Sequence, residues 1–128
     1  MARLTDAQAK LFLDANFAVV ATLRPDGSPQ TSVVWIDYDG ESVVFSTTRP
    51  RAKGRHLEQD PRVSITVFDL ADPYRYVEVA GRAVLDDEGA AEHIHQMSRK
   101  YRGTDYPEPT GRVLVRVRPE RVHAYGVD

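Results

Sequence analysis

Residues 49–56 read Arg-Pro-Arg-Ala-Lys-Gly-Arg-His, and four of the chain's 17 Lys and Arg residues (Arg49, Arg51, Lys53 and Arg55) fall within seven positions. No acidic residue lies between Glu41 and Glu58 to neutralise them. A guanidinium offers an oxyanion two parallel N–H groups and an ammonium offers a compact point charge, so the set suits a phosphate. Ser46, Thr47 and Thr48 just upstream add hydroxyls. A helix beginning within the run would aim free backbone N–H groups at the same anion. The bland alternative is a solvated basic loop, the usual fate of a charge run.

Other chemistries find less support. The eight glycines form neither GxGxxG nor GxxxxGK, so a phosphate would be held by side chains and not by a glycine-rich cradle. His93 and His95 stand two apart on a helical stretch, about 200° around its axis, and cannot share a metal ion. No metal site is expected. His56 either helps hold a phosphate or is exposed, and His123 reads as a packed or dimer-contact residue. There is no GxSxG nucleophile elbow and no HExxH motif. Asp86, Asp87 and Glu88 most simply stabilise a helix N-terminus. No general acid–base pair stands out, so an enzyme built on this chain would take its chemistry from a bound cofactor, and no catalytic residue is assigned. Gln30, Thr31, Ser32, Val33, Val34 and Trp35 combine amide and hydroxyl groups with apolar surface, which suits a planar ring or simply a half-exposed strand. Tyr74 and Tyr76 flank Arg75 and would stack on a flat ligand, pack in a core or line an interface.

Composition narrows the field. The chain has 128 residues, enough for one domain spanning 1–128. A net charge of −2 supplies no global field to attract nucleic acid, and no nucleic-acid partner is expected. The absence of cysteine excludes disulfides, iron–sulfur clusters and thiolate chemistry. No stretch approaches the roughly 20 apolar residues that cross a bilayer, and no signal peptide is visible. The expectation is a soluble, cytoplasmic protein without a membrane partner.

The elements that position these residues are short. Thr5 with Gln8 forms a capping box ahead of a first helix. Residues 17–23, 30–38 and 42–47 read as strands joined by Pro25-Asp26-Gly27 and by Asp39-Gly40. Residues 49–59 make a polar crossover with one helical turn. Strands follow at 63–68 and 74–85, with a bulge or bend at Ala80-Gly81. A helix at 86–101, an exposed loop at 102–111 and strands at 112–118 and 122–125 complete the chain. The strand–helix alternation of a parallel sheet is missing. The expected fold is mainly β within the α+β class: an antiparallel split β-barrel of six or seven strands with two or three short helices.

Taken in order, FAVVATLRPDGSPQTSVVW, VVFSTTRPRAKGRHLEQDPRVSITV, YVEVAGRAVL and KYRGTDYP followed by GRVLVRVRPERVHAYG resemble the pyridoxamine 5′-phosphate oxidase-like split β-barrel superfamily. Within it they are most similar to the small oxidoreductases that use the deazaflavin coenzyme F420. The resemblance implies a homodimer with cofactor sites at the subunit interface and a small-molecule substrate. The cofactor phosphate would meet Arg51, Lys53 and Arg55, with Gly54 permitting close approach. The ring would lie along Gln30, Thr31, Ser32 and Val33, beside Phe45, Ser46 and Thr47, and Tyr74 and Tyr76 would come from the partner subunit. Arg49 would serve the longer tail of F420, which favours that coenzyme over FMN. The longer vitamin B6 oxidases carry a further C-terminal segment beyond the position of Asp128, so B6 oxidation is not expected. An FMN-dependent oxidoreductase and a non-enzymatic cofactor carrier are the alternatives.

Overall fold

The structure is a computed structural model and describes residues 2–128. The first helix, α1 (Asp6–Leu13), begins at the expected capping box. Thr5 Oγ1 accepts from Gln8 N at 3.1 Å, and Gln8 Oε1 accepts from Thr5 N at 3.0 Å. It turns Leu11 and Phe12 into the core.

Strand β1 (Phe17–Leu23) pairs with β2 (Pro29–Trp35) in register from Phe17↔Trp35 to Leu23↔Pro29. Gly27, at φ 86°, takes the left-handed turn between them. Alternation then sorts the faces: Ala18, Val20 and Thr22 are buried inward, while Phe17, Val19 and Ala21 point outward. The sequence suggests one strand over 30–38, but the chain breaks at Ile36. Its N–H donates to Tyr101 Oη at 3.0 Å and its carbonyl accepts from Lys100 Nζ at 2.6 Å. With its backbone committed to a helix, Ile36 leaves β2 and the chain crosses to form β3 (Asp37–Tyr38).

β4 (Val43–Thr48), α2 (Ala52–Gln59), β5 (Arg62–Phe68), β6 (Tyr76–Asp86), α3 (Ala90–Arg102), β7 (Arg112–Val117) and β8 (Arg121–Tyr125) follow. The strands form one antiparallel sheet in the order β2-β1-β5-β6-β7-β4-β3, with β8 also on β6. This is the expected split barrel, with eight strands in place of six or seven because β3 separates from β2. At Gly81 the surroundings of β6 change. Its pairing with β5 runs through Gly81 without a bulge, but its partner on the other edge changes from β8 to β7 beyond Gly81. A Cβ on Gly81 would lie 2.5 Å from the Arg118 carbonyl oxygen at this crossover.

Val20, Ile36, Phe45, Ile65, Val67, Val77, Val79, Val115 and Val117 fill the barrel. Each such side chain contributes about 1.5–3 kcal/mol by leaving water. Outside the barrel, α3 lies over β4 and β7, pressing Ala90 onto Val44 and Leu114. Among the described residues, no helix is long and apolar enough to cross a membrane.

Candidate functional site

The cationic run is aimed by the junction of β4 with α2. Arg51 N donates to Thr48 O at 3.2 Å, closing a turn, and α2 starts immediately after. Gly54 is pressed against that turn. A Cβ there would collide with the Thr48 carbonyl oxygen and lie 2.8 Å from Arg49 Cα. The helix therefore abuts the strand end, and its first turn, with no acidic residue and no side-chain cap, opens beside Ser46.

An open cleft of about 250 Å³ lies there. Arg51 and Lys53 from the start of α2 and Arg112 from β7 line it together with Ser46 of β4, the strand paired with β7. Arg112 Nε donates to Ser46 Oγ at 3.0 Å, and its guanidinium carbon stands 5.3 Å from the centre of the Tyr106 ring. Phe17, Val33, Val34 and Trp35 form one apolar wall, and Ile94 and Met97 of α3 another. Trp35 is held by stacking on Tyr101, at 5.3 Å between ring centres and 6° between planes, with Tyr106 edge-on at 6.3 Å. Tyr101 is itself anchored: its hydroxyl accepts from Ile36 N and donates to the Asn16 carbonyl.

Among the described residues no carboxylate lines the cleft. Burial lowers the Lys53 ammonium pKa from its usual value, and the neighbouring charges of Arg51 and Arg112 lower it further. Burial likewise lowers Arg112, with Arg51 adding to the effect. Among the described residues none of the three cations has an acidic partner within salt-bridge distance. Lys53 and Arg112, half-buried, stand with the exposed Arg51 beside a helix N-terminus, an arrangement suited to receive an anion.

The structure gathers Val33, Ser46, Arg51 and Lys53 into one cleft and places the other expected residues elsewhere. Phe45 and Thr47 are fully buried on the inner face of β4, so their side chains cannot line the cleft. The Ser32 hydroxyl is also buried, on the face shared with Val20, and Gln30 shares the face of Thr22. Thr31 points outward with Val33. Arg49 is engaged by Glu58 at 2.7 Å and Asp87 at 3.0 Å, acids distant in sequence that converge on it in space. Arg55 donates to the Pro50 carbonyl at 2.6 Å on the surface. Gly54 permits close approach of the chain's own backbone at Thr48 and Arg49. Tyr74 is 76% exposed, and Tyr76 stacks on Tyr125 at 5.8 Å, both away from the cleft of their own chain. His56 is buried and bonded to Thr22 Oγ1 at 2.9 Å, so it is neither a phosphate ligand nor exposed.

Sequence reasoning missed Arg112, Trp35 as a wall, Tyr106, Ile94 and Met97. The alternation of β7 already set Arg112 opposite the core valines. What it did not reveal was the pairing Thr48↔Arg112, which puts this side chain beside Ser46.

Comparison with known proteins adds a second kind of observation. The family model described as pyridoxamine 5′-phosphate oxidase matches residues 4–126. A solved structure named as an F420 reductase superposes with a TM-score of 0.84 at 29% identity, covering 94% of this chain and 98% of the other. A curated pyridoxine/pyridoxamine 5′-phosphate oxidase from Nostoc sp. is 31% identical over 62% of this chain and 37% of its own length. Another, from Rubrobacter xylanophilus, is 25% identical over 85% of this chain and 64% of its own. The chain spans less than two thirds of the length of these curated relatives.

Proposed function

The chain belongs to the pyridoxamine 5′-phosphate oxidase family, and from that premise we propose that it is an oxidoreductase using the deazaflavin coenzyme F420. The observation that carries this reading is the convergence of Arg51, Lys53 and Arg112, unpaired, beside the Trp35 wall. The donor set fits a phosphate joined to a flat ring. Arg51, Lys53 and the first turn of α2 would hold the phosphate, and Val33 and Trp35 would cover the ring. When bound and reduced, the coenzyme supplies hydride to an electron-poor small molecule. The residues of this chain would bind and orient it. Lining groups with a transferable proton are the Lys53 ammonium and the Tyr106 hydroxyl, and solvent reaches the open cleft as well.

Arg49 no longer supports the choice of F420, since Glu58 and Asp87 neutralise it. Arg112 takes its place as the further cation, and the near full-length similarity to an F420 reductase points the same way. FMN is the alternative, favoured by the family model. A carrier that binds without turnover is the remaining reading, supported by the absence of carboxylate and histidine among the described residues that line the cleft.

A second copy of the chain completes the site in this reading. The cleft, at about 250 Å³, is smaller than the roughly 300–1,000 Å³ usual for cofactor pockets. At its mouth Val33 is 67% exposed and Phe17 is partly bare. The exposed Tyr74 and the Tyr76–Tyr125 stack are the aromatic surface a partner would offer. Titration of the purified protein with F420 and FMN, side by side, tests the proposal. Tighter binding of F420 with turnover of an acceptor supports it. A yellow protein that retains FMN and ignores F420 selects the alternative, and no micromolar binding of either removes both.

A further inference from the structure

One ring outside the cleft touches both aromatic residues of its apolar wall. Tyr101 stands in the last turn of α3 and does not itself line the cleft. Its ring stacks on Trp35, and the Phe17 ring lies 5.4 Å away at 34°. Phe17 and Trp35 are cross-strand partners, the first residue of β1 opposite the last of β2. The Tyr101 hydroxyl joins the residues that flank this pair. It donates to the carbonyl of Asn16, immediately before Phe17, and accepts from the N–H of Ile36, immediately after Trp35. We propose that Tyr101 is a positioning residue of the cleft: its ring fixes the planes of Trp35 and Phe17 and so sets the affinity for a flat ligand ring that Tyr101 never touches. This rests on the reading of the cleft as a cofactor site.

The wall needs such a support. Among the described residues β2 pairs with β1 alone, at the end of the sheet, and Phe17↔Trp35 is the last rung of their ladder. Unsupported ladder ends fray, and a mobile indole would have to be ordered by each ligand that arrives. Stacked on Tyr101, Trp35 is ordered beforehand. Burial raises the Tyr101 hydroxyl to about 12, so it stays protonated and keeps donating to Asn16 at neutral pH. Lys100 doubles the hold on the backbone, with Nζ donating to the Phe12 carbonyl at 2.8 Å and the Ile36 carbonyl at 2.6 Å. The stacking has no such duplicate, because Tyr106 meets Trp35 only edge-on. Loss of the hydroxyl therefore costs stability, whereas loss of the ring costs orientation.

Trp35 is the only tryptophan of the chain, so tryptophan fluorescence reports this wall alone. The test compares the full chain with Tyr101→Phe and Tyr101→Leu, by anisotropy decay of Trp35 without ligand and by titration with FMN and F420. Tyr101→Phe should keep the indole rigid and the affinity within about twofold. Tyr101→Leu should show fast local motion of the indole and bind about tenfold more weakly. A merely structural role would lower the urea midpoint of both variants and leave Trp35 motion and affinity unchanged, which overturns the proposal. Indole motion without lost affinity, or lost affinity without indole motion, overturns it too. Should Tyr101→Leu fail to fold, the unaltered chain and Tyr101→Phe decide: a rigid indole and equal affinity in both support the proposal, and a mobile indole in either contradicts it. An unaltered chain that binds neither cofactor at micromolar concentration removes the cofactor reading itself. One that binds, with Tyr101→Leu binding equally, removes this inference alone.

Discussion

Helix α3 divides two cavities that treat charge in opposite ways. On the cleft side, Arg51, Lys53 and Arg112 crowd together without an acid among the described residues, and burial, followed by the repulsion of Arg51 and Arg112, lowers the Lys53 pKa. On the other flank, where a recess of about 410 Å³ opens between α3, β3 and β7, Arg116 is bracketed by Asp39 and Asp86, and the buried His93 stays neutral. Folding favours compensated charge, because unpaired charge that is partly desolvated costs stability. Where a fold leaves cations uncompensated, the missing anion is the informative part. The same contrast runs through the basic segment itself: Arg49 is paired by Glu58 and Asp87, whereas Arg51 and Lys53 two and four residues on are not.

The strongest way to break this contrast is to remove the uncompensated pair. Arg51→Ala with Lys53→Ala should lower cofactor affinity about ten- to hundredfold for each residue, since a charge-assisted bond contributes about 1.5–3 kcal/mol. Circular dichroism should be unchanged. Equal affinity in the double variant would place the phosphate elsewhere.

Gly54→Ala attacks the support shared by those cations. The added methyl would drive α2 off the Thr48–Arg49 backbone, at a net cost of about 2 kcal/mol in urea unfolding, although alanine itself favours a helix by about 1 kcal/mol. Cofactor affinity should fall with it. An unaltered or raised midpoint would show that the contact relaxes freely.

Acid should disturb the recess side. The His93 imidazole titrates near 6.5 in an unfolded chain and at about 4 when buried here. Between these values the unfolded chain binds the proton more readily. The stability from neutral His93 is therefore complete above about pH 6.5 and lost as the pH falls toward 4, by up to about 1.4 kcal/mol per pH unit. Unfolding midpoints across this window should fall more steeply for the unaltered chain than for His93→Phe, and parallel curves would contradict the assignment.

Arg49→Ala should do least. Its exposed, compensated guanidinium leaves cofactor affinity within about twofold. A loss as large as that for Lys53→Ala would show that the contrast within the basic segment is false.

Much of the fold was legible in local signals. The capping box at Thr5 and Gln8, the β-forming run at 17–23 and the turn at Gly27 all express short-range rules. The break at Ile36 was not, because it depends on Lys100 and Tyr101, 64 and 65 residues away. The site shows the same division. Arg51 and Lys53 stood out by composition, but the partners of Arg49 and the arrival of Arg112 arise from strand pairing and helix placement. For β2 the residue types, and for β4 the family resemblance, suggested a ring-binding surface, yet which alternate residues face outward was decided by the barrel. That is why Phe45, Thr47 and the Ser32 hydroxyl turned inward while Val33 and Ser46 did not.

The central claim is that cations at the mouth of α2 grip a phosphate. The direct measurement compares each cofactor with its unphosphorylated counterpart, FMN against riboflavin and F420 against its deazaflavin alcohol, by fluorescence titration of the purified chain. The account predicts binding about ten- to hundredfold tighter for the phosphorylated member, a gap that closes in the Arg51→Ala, Lys53→Ala variant. Equal affinity for both members in the unaltered chain would contradict it.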